Sequence, residues 1–279
     1  MAKKLVINAD DFGLAEDIND GIIECYREEA ITDMSLLAVG ESFRHAGERA
    51  KENKIDRLGA HLALTGSFKC ASPAGEVPTL VNGEGRFPGD YTEFFKAFLT
   101  GRVKTAEIYK EFKSQLRKIR EAGFKITHID SHHHIHMEPS ILKVATGLAA
   151  EEGIGYVRFS RERVRLFSGL IDPVNAIRAF LLSSMCFLSG GILKKSGIKH
   201  NDYFIGHFKA HNLTRRYILS AVKNIKEGLT EFACHPGYFT ERIKKKYPAY
   251  RNAAEEIRVL CNSTFHEALK ARGVELVSY

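Results

Sequence analysis

The chain has 279 residues, 44% of them hydrophobic and 27% charged, a balance that builds a sizeable core and excludes a disordered or collagen-like polymer. Forty-one Lys and Arg against 34 Asp and Glu leave a formal charge of +7, which is compatible with an anionic partner without specifying one. The five cysteines, Cys25, Cys70, Cys186, Cys234 and Cys261, form no CxxC pair and no disulfide framework, so a reducing, cytoplasmic setting is expected.

The opening MAKKLVINADDFG holds too short an apolar run for a secretory signal. Leu5-Val6-Ile7 reads as a strand, followed by a helix with Ile18, Ile22, Ile23 and Tyr26 on its apolar positions. Met34 to Val39 is the next strand, Phe43 to Lys51 a helix, and Leu58 to Leu64 a third strand. Eight Gly and Pro residues between Gly66 and Gly89 mark a long loop, of the kind that often serves function. Thr105 to Ala122 is a helix with Ile108, Phe112, Leu116 and Ile119 on one face, ended by Gly123. Phe124 to Asp130 is a strand, and Pro139 opens a helix through Ala150. Gly155 to Phe159, Tyr203 to Ile205, Thr230 to Cys234 and Val274 to Val277 bring the strands to about eight. Repeated βα units without GxGxxG indicate one α/β domain over residues 1–279, in a barrel-like arrangement rather than a dinucleotide fold.

The stretch from about Arg161 to Asn201 reads as an insertion. Its greasiest part, Ala179 to Leu193, is interrupted by Ser183, Ser184, Ser189 and Gly190-Gly191, too short and broken for a bilayer span. Arg161, Arg163 and Arg165 precede Phe180, Leu181, Leu182, Phe187 and Leu188. That order allows a buried core helix, a peripheral membrane or lipid-linked substrate contact, or a homodimer surface.

Chemistry concentrates at strand ends. Asp10 and Asp11 repel unless a cation sits beside them. Neighbours on an extended chain face opposite ways, so both enter one pocket only if the strand has already ended, with Gly13 supplying the turn; a helix-capping acid in a polar loop is the plainer alternative. His61 lies among apolar or small neighbours, where a core histidine is common, but at the same strand level. Residues 127–136, THIDSHHHIH, hold five of the chain's 12 histidines. In an extended conformation His128, Asp130, His132 and His134 share one face and His133 the other, a pattern that points to a metal without settling which histidine binds it. His235 ends a strand because Pro236 and Gly237 follow, whereas Cys234 reads as a buried, inert thiol. Mixed Asp and His donors suit one divalent ion, Zn²⁺ or a related metal.

In chain order, NADDFG, GAHLALT, THIDSHHHIHM, EFACHPGY and YRNAAEEIRVL…GVELVSY resemble the YdjC-like family of carbohydrate deacetylases, over nearly the whole chain. The resemblance implies a distorted TIM-like (β/α) barrel of the polysaccharide-deacetylase type, one divalent ion (Zn²⁺ or Mg²⁺), and removal of an N-acetyl group from an amino sugar. It further implies Asp11, His61 and His132 as metal ligands, Asp10 as general base and His235 as partner acid. Arg158 is placed either to orient a carboxylate or to form a surface salt bridge. The 161–201 section and Thr65-Gly66-Ser67 leave the sugar open. Two rival readings are a metal-dependent phosphoesterase, which calls for more carboxylate ligands, and a basic protein that binds nucleic acid through Arg242, Lys244, Lys245 and Lys246. No recognition motif accompanies that basic run, so no nucleic-acid partner is expected.

Overall fold

A computed structural model describes residues 2–162, 173–206 and 213–279, with the backbone alone over 173–181. Among the described residues seven parallel strands form one sheet: β1 (Lys3–Phe12), β2 (Asp33–Leu36), β3 (Arg57–Leu62), β4 (Lys125–Ser131), β5 (Tyr203–Ile205), β6 (Gly228–Cys234) and β7 (Val274–Leu276). The order is β4-β3-β2-β1-β6-β5, with β7 beside the first residues of β1. Short bridges close the ring. Ile129 of β4 pairs with Val157, and Tyr156 with Lys199, just ahead of β5. The result is a distorted barrel, and of the eight strands expected only Gly155 to Phe159 is reduced to these two bridges.

Helices α1 (Glu16–Arg27), α2 (Phe43–Glu52), α3 (Tyr91–Leu99), α4 (Thr105–Glu121) and α5 (Pro139–Glu151) follow the first four strands. Their spacing explains their placement: α1 buries Ile18, Ile22 and Ile23, and α4 buries Ile108, Phe112, Leu116 and Ile119. After α6 (Pro173–Ser196) come α7 (Arg215–Lys223), α8 (Glu241–Lys246), α9 (Ala253–Leu260) and α10 (Ser263–Lys270).

Helix α6 occupies much of the expected insertion. It buries Leu182, Cys186, Ser189 and Leu193, and Ser189 Oγ donates to the Met137 carbonyl at 2.7 Å. Phe187 and Leu188 are 75% and 65% exposed. Arg163 and Arg165, and the side chains of Phe180 and Leu181, lie outside the described residues. No described helix is long and apolar enough to cross a membrane.

The long loop is held by α4. Glu111 accepts the backbone N–H groups of Ala71 and Ser72 at 2.8 and 2.9 Å, and Glu107 accepts that of Thr79 at 2.7 Å. Gln115 exchanges hydrogen bonds with both backbone groups of Ala63. One polar row at i, i+4 and i+8 thus satisfies backbone that would otherwise be buried without partners.

Candidate metal and catalytic site

Along β1 the side chains alternate. Leu5, Ile7 and Ala9 join the apolar core, while Asn8 and Asp10 point into the barrel, where Asn8 Nδ2 donates to Asp10 Oδ1 at 2.7 Å and to Ser35 Oγ at 2.8 Å. Continued alternation would send Asp11 outward. Instead Asp11 takes a left-handed backbone, φ 64°, at a register shift between Ala9 and Phe12 in the β1–β2 pairing. That irregularity turns its side chain back into the barrel, and aspartate tolerates the conformation better than most residues. The expectation that both acids need the strand to end is therefore corrected: β1 runs on to Phe12, and the kink at Asp11 brings the second acid in.

Asp11 Oδ1 lies 3.2 Å from His61 Nε2 on β3 and 2.8 Å from His132 Nδ1, just after β4. The potential ligand atoms of the three residues lie within 4.8 Å of one another, and all three are buried. Burial alone would push the Asp11 carboxyl up, but His132 and His61 outweigh it and hold it well below the usual carboxylate range. For His61, burial is outweighed by Asp130 and Asp11, which raise it well above the ordinary imidazole value. Asp130 Oδ1 contacts His61 Nδ1 at 2.9 Å, so the opposite ring nitrogen faces Asp11.

The histidine run does not stay extended. His133 and His134 have φ of 57° and 52°, coiling residues 132–137 into a tight turn. His132 reaches Asp11, whereas His134 Nδ1 meets Ser160 Oγ at 3.0 Å and His133 Nδ1 meets Thr65 Oγ1 at 3.0 Å. His128 and Asp130 do share a face. Both contact Ser35 Oγ, at 2.9 and 2.8 Å. Gly59 makes room for the His128 ring and for Ser35: a Cβ there would stand 2.3 Å from the ring and 2.7 Å from the Ser35 hydroxyl. Burial pushes His128 down to about 3 and His136 down to about 4, so neither is charged at neutral pH.

Arg158 is fully buried, which removes the surface salt-bridge alternative. Its guanidinium bonds both oxygens of Asp10 at 2.7 Å, Asp130 Oδ2 at 2.7 Å, and Glu231 through Nε. Asp10, His61 and Asp130 form a second group of ligand type, but Arg158 already occupies both of its carboxylates. Burial raises Glu231 to about 7 despite Arg158 beside it.

His235 follows β6, its backbone N–H bonded to Glu256 Oε2 of α9 at 2.6 Å. Burial lowers its imidazole below the ordinary value, with Asp10 and Asp11 opposing. Tyr250, which sequence reasoning missed, donates its hydroxyl to Asp11 Oδ2. Ser35, Asn8, Glu231 and Glu256 were given no role either; Asn8, Ser35 and Glu231 stand out as polar residues in largely apolar strands, and Tyr250 and Glu256 lie in the YRNAAEEIRVL segment. Cys234 is buried, as expected.

A family model described as YdjC-like protein matches residues 4–271. The chain is 30% identical over 278 residues to a carbohydrate deacetylase of Brevibacillus brevis, covering 99% of this chain and 98% of that one. It is also 30% identical over 280 residues to a chitooligosaccharide deacetylase of Escherichia fergusonii, covering 100% and 99%. Among solved structures it resembles an Enterococcus faecalis protein assigned to cellobiose-phosphate cleavage, with a TM-score of 0.80 at 25% identity over 100% of this chain and 98% of that one.

Proposed function

Because the chain belongs to the YdjC-like family, we propose that it is a metal-dependent carbohydrate deacetylase, cleaving the amide between an acetyl group and the nitrogen of an N-acetylated amino sugar. The sugar belongs to a chitooligosaccharide or a lipid-linked glycoside. One observation carries the reading: Asp11, His61 and His132 bring donor atoms within 4.8 Å of each other beside Asp10, which is held by Arg158.

The residues fit one divalent ion. Two imidazoles and one carboxylate suit zinc better than magnesium. The neighbouring Asp10, Asp130 and Glu231 all bond Arg158, which leaves Asp11 as the carboxylate facing the two imidazoles. When bound at Asp11, His61 and His132, such an ion supplies Lewis acidity that activates water and polarises the acetyl carbonyl.

The chain's own groups do the rest. Asp10 Oδ1 accepts from Asn8 and Arg158, while Oδ2 accepts from Arg158 alone among the described residues. Oδ2 therefore keeps a lone pair for the proton of the attacking water, and Asp10 is the general base. Arg158 fixes the plane of that carboxylate. Asp130 fixes the His61 ring. His235 is the partner acid: its lowered pKa makes the imidazolium a minor form, but one that gives its proton readily to the departing amine.

Elemental analysis of the purified protein, followed by an acetate-release screen over N-acetylglucosamine compounds, tests the proposal. Acetate release that a chelator abolishes is the expected result. Phosphate release from sugar phosphates without acetate would favour the phosphoesterase reading instead, and salt-sensitive nucleic-acid binding with no turnover would favour the basic binding protein.

A further inference from the structure

The two oxygens of Asp11 have different neighbours. Oδ1 faces His61 Nε2 and His132 Nδ1, whereas Oδ2 accepts the hydroxyl of Tyr250. Tyr250 ends a short 3-10 turn, Pro248–Tyr250, between α8 and α9, and is only 4% exposed. Its ring stands edge-on to those of His235 and Tyr247, each at 6.2 Å. Its backbone N–H bonds to the Tyr247 carbonyl at 3.0 Å. The Ala253 carbonyl, at the start of α9, accepts the N–H of Gly237 at 3.3 Å, tying this turn to the loop that carries His235. The phenol is clamped from several sides, so its hydroxyl has a fixed aim.

We infer that Tyr250 is a positioning residue for Asp11: its hydroxyl reserves Oδ2, so that Asp11 offers one oxygen, Oδ1, to the divalent ion. The inference rests on the metal reading above and adds to it. A carboxylate that chelates through both oxygens fills two coordination positions, and a hydrolytic site needs positions left for water and for the acetyl carbonyl. A hydrogen bond to the second oxygen favours one-oxygen binding and fixes the carboxylate plane, as outer partners of metal ligands do elsewhere.

Cobalt(II) is the probe, because its visible absorption reports coordination. Tyr250→Phe keeps the ring and removes one oxygen. It is expected to weaken Co²⁺ binding roughly 10- to 100-fold, to change the visible spectrum as Asp11 Oδ2 becomes free to coordinate, and to lower kcat for acetate release at saturating metal with little change in KM. An unchanged Kd together with an unchanged spectrum would overturn the inference. Thermal melting reports whether the variant folds; if it does not, Tyr250→Met, whose flexible chain fills the same space, is measured in its place. Asp11→Asn and His132→Ala are titrated alongside. Retained Co²⁺ binding in both would sink the metal reading itself, whereas its loss there with wild-type behaviour of Tyr250→Phe would sink the positioning role alone.

Discussion

Arg158 grips Asp10 with both terminal nitrogens, each 2.7 Å from a different carboxylate oxygen. The same guanidinium reaches Asp130 and Glu231, so one side chain ties β1, β4 and β6 together inside the barrel. Its own backbone is anchored as well, Arg158 N–H bonding to the Ile129 carbonyl at 2.9 Å. Forked geometry matters here, because a lysine ammonium cannot bond both oxygens of one carboxylate and a second acid from one plane.

Arg158→Met leaves Asp10 and Glu231 without their cation and Asp130 with His61 alone, a change that typically costs about 3–5 kcal/mol. We expect a large fall in the thermal midpoint and loss of acetate release. Arg158→Lys should fold better and still lose turnover, with kcat falling more than KM rises. Wild-type melting and activity in the methionine variant would remove Arg158 from both roles.

The proposed mechanism gives the adjacent Asp10 and Asp11 different tasks, and substitution separates them. Asp11→Ala and His132→Ala should each abolish metal content and activity together. Asp10→Asn should keep the metal and remove the proposed proton acceptor, so acetate release should fall by roughly 10²–10⁴-fold, the usual contribution of a general base. Elemental analysis beside the rate measurement distinguishes the two patterns. A metal-loaded, fully active Asp11→Ala protein contradicts the assignment.

The strand ends that carry Asp10, His61, His132 and His235 could be read from apolar runs and their punctuation, because those runs are local and short. What could not be read depends on backbone signs and on distant partners. Period-two alternation sends Asp11 out of the barrel, and nothing in NADDFG announces φ 64°. The same alternation groups His134 with His132, until two left-handed residues coil the run. Tyr250 meets Asp11 across 239 positions, a separation no spacing rule covers. On α4 the apolar face was legible, but Glu107, Glu111 and Gln115 beside it look like a solvated flank. They are buried because the backbone of Ala63 and of the long loop needs partners.

Glu256 makes stability depend on pH in a predictable direction. Burial raises its carboxyl from the ordinary value of 4.5 to about 8, although the His235 N–H opposes the shift. The folded state thus holds the proton more tightly than the unfolded chain does. Its contribution is fully present below about pH 4.5 and is lost as pH rises through 8. Glu256→Gln keeps a carbonyl oxygen for His235 and cannot ionise. The variant should melt close to wild type near pH 5, gain on it up to about pH 8 and level off above that, by on the order of a few kcal/mol in all. Taking the difference between the two melting curves at each pH removes the parallel contribution of Glu231. A difference that stays flat from pH 5 to pH 9 would mean that Glu256 ionises as readily in the folded protein as in the unfolded one.

Glu111 links the long loop to the site. Its two oxygens accept from Ala71 and Ser72, and Gln115 Nε2 donates to Oε1 at 2.9 Å. Phe68, in the same loop, sets its ring 5.7 Å from that of His132. Glu111→Ala leaves two backbone N–H groups without acceptors, at about 1–3 kcal/mol each if they stay buried. Releasing the loop to water avoids that cost, so local opening is the favoured response. Limited proteolysis should then cut the variant within residues 66–89 well before wild type, while the barrel's thermal midpoint falls only modestly. Because Phe68 would leave the side of His132, KM for the acetylated sugar should rise more than kcat falls. Equal protease resistance in both proteins would mean that other contacts hold the loop, such as Arg86 Nη1 donating to the Ser67 carbonyl at 2.8 Å.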